Sequence, residues 1–275
     1  MNVILKGILK HNKELVYKRR LIDDIDKITK HQVKAQTVCI SCMDCRVLPS
    51  KFVNTEVGQI YFLRNAGNIV PHFDDFKEGR ISSEGAGLEL GCVTNQVKNV
   101  VVLGHSDCRV FIYLFFYLKA AQALFEIRHS CNHEQYIHTS PMKTWVALHG
   151  AKTIEQFCNI YNDKDIPEDT YFMKQPMNFT VNLNGKDIQT ILDPCNKFNI
   201  KDKFSMLHCL QQASHVQTYP MLKPFLDAGD FQIHALWYDV YTGDVYMFST
   251  SQNKFIEVNE KNIDIMNTDI APLRI

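Results

Sequence analysis

Two apolar runs that each end in a cluster of ligating side chains constrain this chain most: "QTVCISCMDCR" (residues 36–46) and "NVVVLGHSDCR" (residues 99–109). Both begin as short, continuously hydrophobic, β-branched segments, the pattern of strands buried on both faces. Between them lie a further run, "QIYFLRNAGN", whose strand is expected over residues 59–63, and a helix-period stretch that Ser82 or Ser83 can cap. The apolar stripe of that helix is predicted at Ala86, Leu90, Val93 and Val97. Strand, helix, strand, helix predicts an α/β fold, a mainly parallel β-sheet flanked by helices.

Downstream, "QIHALWYDVYTGDVYMFST" (residues 232–250) reads as two strands around Thr242-Gly243-Asp244, a C-terminal β-hairpin expected to close the sheet. A helix is predicted over residues 204–216, ended by Tyr219-Pro220. Residues 128–200 carry Pro141, Pro167, Pro176 and Pro194 and no clear period, so no elements are assigned to them. Without an internal repeat or linker, residues 1–275 read as a single domain. Residues 1–35 form an N-terminal helical arm that is amphipathic from Ile4 to Leu9 and onward.

Charge and cysteine usage narrow the function. The 30 basic residues balance 30 acidic ones with no Lys/Arg block, so no nucleic-acid partner is expected. Nine cysteines without a secretory signal predict reduced thiols. The first twenty residues carry Lys6, Lys10, Lys13, Lys18, Arg19 and Arg20 against Glu14 alone, which faintly resembles a mitochondrial import segment, but they contain neither Ser nor Thr. A cytoplasmic protein is expected, with mitochondria as the alternative. The most apolar stretch, residues 110–125, is interrupted by Lys119 and Gln122 and falls short of the roughly 20 residues that cross a bilayer. It is expected to be a helix buried in the core or at a subunit interface, not a membrane span.

The turns after the two runs hold the chemistry. In α/β sheets, ligands gather beyond the carboxyl ends of the strands, so Cys42, His105 and Cys108 converge if their strands are neighbours. Two thiolates and an imidazole suit zinc, and three protein ligands leave a fourth position for water or a carboxylate. Asp44 lies two residues from Cys42 and projects to the same side, within reach of that position. Arg46 repeats the offset, and its planar fork can hold the Asp44 carboxylate through two hydrogen bonds.

Other cysteines fit less well. Cys39 faces the opposite side of its strand and is expected in the core, while Cys45 is expected to pack beneath the loop as a small residue. The overlapping Cys-x-x-Cys spacings permit a redox site, but an intervening aspartate would raise the thiol pKa, and His105 and Cys108 would go unused. A polar stretch with His129, Cys131, His133 and His138 reads as a solvated loop.

With these residues in view, the chain resembles the β-class carbonic anhydrases, and their animal branch in particular. "CMDCR" is similar to the family's Cys-x-Asp-x-Arg, "FLRNAGNIVPH" to its Arg-Asn-x-x-Asn segment and "GHSDC" to its Gly-His-x-x-Cys, while "HALWYDVYTGDVYMF" resembles the animal members. The resemblance implies one Zn2+ per subunit on Cys42, His105 and Cys108, and a catalytic dyad of Asp44 and Arg46, with Asp44 also able to bind the metal. It implies reversible hydration of carbon dioxide to bicarbonate and a proton by zinc-bound hydroxide. A homodimer or dimer of dimers is implied too, with N-terminal helices embracing the partner. Arg109 stands where many members have glycine, and Cys45 where serine is usual.

His72 follows the Arg64-Asn65 segment and can line the site mouth as a proton carrier, although a surface histidine is the plainer reading. Two rival functions share the metal set: hydrolysis of carbon disulfide or carbonyl sulfide, and a non-catalytic zinc module that Asp44 closes permanently.

Overall fold

The computed structural model describes residues 1–53, 56–110, 140–160 and 176–270. The expected apolar helix beyond Val110 and the cluster of His129, Cys131, His133 and His138 lie outside these residues. Two helices, α1 (Asn2–Lys13) and α2 (Leu15–Thr29), come first and bury none of their residues, leaving Ile4, Leu5, Ile8, Leu9, Ile22 and Ile25 exposed. They form the anticipated arm. β1 (Thr37–Cys42), β2 (Ile60–Asn65), α3 (Ser83–Leu88) and β3 (Asn99–His105) then follow in the expected order.

The stripe predicted for α3 requires correction. Ala86 and Leu90 are exposed, Val93 is half-buried, and Val97 is buried as expected but lies beyond the helix, whereas Leu88, Gly91 and Cys92 are buried within it. At Glu89 the helix widens into a π-helical turn, Glu89–Thr94, which shifts the helical phase, and it turns glycines toward the sheet. A Cβ on Gly87 would come 2.5 Å from Leu63 Cδ1, and one on Gly91 would collide with Val38. Close approach thus replaces an apolar stripe.

The stretch left unassigned folds into α4 (Pro141–His149), α5 (Ala151–Ile160) and a hairpin of β4 (Met177–Leu183) and β5 (Lys186–Leu192). Helix α6 (Ile200–Val216) starts four residues before the predicted position because Asn199 caps it, accepting from the Asp202 amide at 3.0 Å. It is buried along most of its length, between β3 and β6 on one side and α5 and the β4–β5 hairpin on the other. β6 (Gln232–Tyr238) and β7 (Val245–Ser249) form the predicted hairpin, with Gly243 at φ 83° in the turn. That hairpin does not close the sheet, because β8 (Lys254–Glu257) pairs antiparallel with β7.

The six-stranded order is β2-β1-β3-β6-β7-β8, with β2, β1, β3 and β6 parallel. The chain steps outward from β1 to β2 and returns to β3 on the other side of β1, so the order reverses between β1 and β3. One sheet face buries Val38, Ile40, Val100 and Val102 with Phe204 and Leu207 of α6. The other buries Cys39 and Leu103 with Val47, beside Phe52 and Tyr238. Removing a fully buried aromatic such as Phe204 should cost about 3–5 kcal/mol. Among the described residues, no helix is long and apolar enough to cross a membrane.

Candidate metal centre

The strand order reverses between β1 and β3, and the three anticipated ligands meet at the carboxyl ends of these two strands. Ser41 pairs with Leu103, leaving Cys42 at the end of β1 and His105 at the end of β3. Cys108 arrives from the following turn. The sulfurs of Cys42 and Cys108 are 3.9 Å apart, and a ligand atom of each of the three residues lies within 4.8 Å of the others. All three side chains are buried.

This donor set fits zinc. Tetrahedral bonds of about 2.3 Å place two sulfurs roughly 3.8 Å apart. His105 Nδ1 is 2.8 Å from the Ser106 carbonyl, which can only accept, so Nδ1 carries the proton and Nε2 a lone pair. Nε2 is buried and has no hydrogen-bond partner. A buried polar atom left unpaired costs about 1–3 kcal/mol, a cost that a coordinated cation removes.

Thiol chemistry separates the ligands from the core cysteines. The neighbouring Cys108 thiol and His105 draw Cys42 well below the ordinary thiol range, against the opposing effect of burial. Burial instead pushes Cys39, Cys92 and Cys209 up to about 12. Those three are protonated fillers of the core, as expected for Cys39. Cys45 departs from expectation: it is exposed, because Val47 and Pro49 occupy the space beneath the loop.

Asp44 and Arg46 face one another at the mouth. Arg46 Nε and Nη2 donate to Asp44 Oδ1 and Oδ2 at 3.1 and 2.7 Å, and the Arg46 backbone amide donates to Oδ1 at 2.9 Å. These bonds hold the Asp44 carboxyl down at about 2 against its partial burial. Asp44 is therefore turned toward the arginine.

Sequence reasoning assigned no role to two residues that hold the ligands. Arg64 of β2 donates to the carbonyls of Cys42 (3.1 and 3.0 Å), Asp44 (2.9 Å) and Val47 (2.7 Å), fastening the whole ligand loop. Its signals in the sequence are the Arg-Asn-x-x-Asn segment and a charge in an otherwise apolar strand. Ser205 of α6 donates to the His105 carbonyl at 3.0 Å and accepts from Trp237 Nε1 at 2.6 Å; no local pattern marks it. His72 caps the short helix Phe73–Lys77, its Nδ1 accepting from the Asp74 amide, with its ring against His215.

Fold and donors define an α/β protein with a metal-capable centre, whose three buried candidate ligands match the number found in catalytic zinc centres. Residues 37–139 match the family model described as carbonic anhydrase. The chain is 29% identical to beta carbonic anhydrase 1 of Caenorhabditis briggsae over 98% of this chain and 93% of that protein. Its identity with beta carbonic anhydrase 1 of Caenorhabditis elegans is 30%, covering 96% and 90%. The chain belongs to the β-carbonic anhydrase family. Its fold matches the solved β-carbonic anhydrase CcaA with a TM-score of 0.65 at 21% identity, covering 94% and 98% of the two chains. A tetrameric β-carbonic anhydrase of Sordaria macrospora matches with a TM-score of 0.56 at 14% identity, covering 90% and 97%.

Proposed function

We propose that this chain is a zinc enzyme for the reversible hydration of carbon dioxide to bicarbonate and a proton. Cys42, His105 and Cys108 hold one zinc per subunit, and Asp44 and Arg46 act beside it. The observation that carries this reading is the unpartnered, buried Nε2 of His105 grouped with two thiol sulfurs 3.9 Å apart. Zinc held there would supply a Lewis acid that acidifies water near neutral pH.

The chain's own residues supply the rest. Asp44, fully ionised at neutral pH, can only accept hydrogen bonds, so it takes one from the reacting water and aims a lone pair at carbon. Arg46 holds that carboxylate away from the metal position, keeping the fourth place open. The bidentate pair argues against a permanently closed structural site, which needs no arginine on its carboxylate ligand.

The assembly we propose is a homodimer or a dimer of dimers. It is supported by the apolar residues exposed along α1 and α2 and by the outer edge of β2, where Tyr61 and Phe62 are exposed.

Metal analysis paired with a hydration assay tests the function. About one zinc per subunit with turnover above background is expected. Cys108→Ser should lose both. Activity surviving complete zinc removal would contradict the reading.

A further inference from the structure

Arg46 is gripped from two sides. Asp44 takes its Nε and Nη2 edge, while Asp107 takes the opposite end: Nη1 donates to Asp107 Oδ2 at 2.7 Å and Nη2 to the Asp107 carbonyl at 2.8 Å. Asp107 belongs to the turn between His105 and Cys108, so this grip ties the Asp44 loop to the loop carrying the other two ligands. Its φ of +50° is a left-handed conformation that aspartate tolerates, unlike most residues. The Asp107 amide donates to Asp202 Oδ1 at 3.2 Å. The residue is thus fixed on the α6 side as well as by the guanidinium.

We propose that Asp107 is a positioning residue that holds Arg46 in the rotamer keeping Asp44 off the metal, and so sets the balance between an open and a closed centre. This rests on the zinc reading above. Arg46 is more than a third exposed, and an exposed ion pair with Asp44 alone is a weak restraint on so flexible a side chain. Asp107 uses the end of the fork that Asp44 leaves, so it anchors the pair instead of competing for it. Without that anchor Arg46 drifts, and Asp44 turns to the metal as a fourth protein ligand.

The test compares Asp107→Gly, which keeps the left-handed backbone and deletes the side chain, with Asp107→Asn, which keeps the shape and an acceptor without the charge. Two quantities are read on zinc-loaded protein: the rate of zinc release to a chelator, and kcat/KM for carbon dioxide. If Asp107→Gly depletes the open form about tenfold, kcat/KM and zinc release both fall by about that factor. Asp107→Asn should fall between Asp107→Gly and wild type in both readouts.

The direction of zinc release is diagnostic. A merely structural role would loosen the ligand loop and speed release; the positioning role slows it. Unchanged or faster release from Asp107→Gly overturns the proposal, as does unchanged kcat/KM. If zinc-loaded wild type showed no turnover, the proposed activity would fall, and the release comparison would still decide the role of Asp107.

Discussion

Arg64 reaches from β2 to donate two hydrogen bonds to the carbonyl of Cys42, at 3.1 and 3.0 Å, and continues to the carbonyls of Asp44 and Val47. One planar guanidinium therefore shapes the loop that presents both a proposed metal ligand, Cys42, and the carboxylate proposed to be catalytic, Asp44. Arg64→Ala should weaken zinc affinity by about 10–100-fold, as for other groups that orient ligands. Arg64→Lys should rescue little, because an ammonium lacks the fork needed for three carbonyls. Chelator competition measures this, and wild-type affinity in Arg64→Ala would contradict it.

Acid should weaken the fold through buried histidines. His208 of α6 has Nε2 3.1 Å from the Gly67 carbonyl and Nδ1 2.9 Å from Thr153 Oγ1, so the neutral ring donates to one and accepts from the other. Burial pulls it down to about 3, and it pulls His215 and His234 down to about 4. With folded values below the ordinary 6.5, the unfolded chain binds more protons at intermediate pH. Stability is then complete above about pH 6.5 and declines as pH falls toward the folded values. Thermal melts should show a lower Tm at pH 5 than at pH 7, with a shallower fall in His208→Gln. Equal slopes would show that His208 does not titrate this way.

Oligomerisation should depend on the exposed edge. Phe62→Lys places a charge on the outer strand β2, where it opposes strand pairing and apolar burial. Light scattering after size exclusion should show an even-numbered assembly for wild type and smaller species for Phe62→Lys. A monomeric wild type would refute the proposed assembly.

The parallel sheet and its ligands were legible because both are local signals. β1 and β3 are short apolar runs, and each ends at a candidate ligand: Cys42 at the end of β1, and His105 at the end of β3 with Cys108 in the next turn. The stripe on α3 was misread because its packing relies on Gly87 and Gly91 and a π-helical turn, none of which produces an apolar period. Hairpin β4–β5 carries a signal that the four prolines of residues 128–200 obscure: Met177, Phe179, Val181 and Leu183 alternate with Asn178, Thr180 and Asn182 and run into Asn184-Gly185, the pattern of a half-buried strand and a tight turn. Ser205 and Asp107 support the centre from positions distant in sequence from the Asp44 loop, so only the fold reveals their partners.

Stopped-flow measurement of carbon dioxide hydration by zinc-loaded protein, from neutral to alkaline pH, tests the central claim most directly. Two thiolates offset the charge of zinc, so water there is acidified less than on a three-histidine site. Turnover should accordingly climb with pH. Rates at background across the whole range, with zinc confirmed in place, would contradict the account.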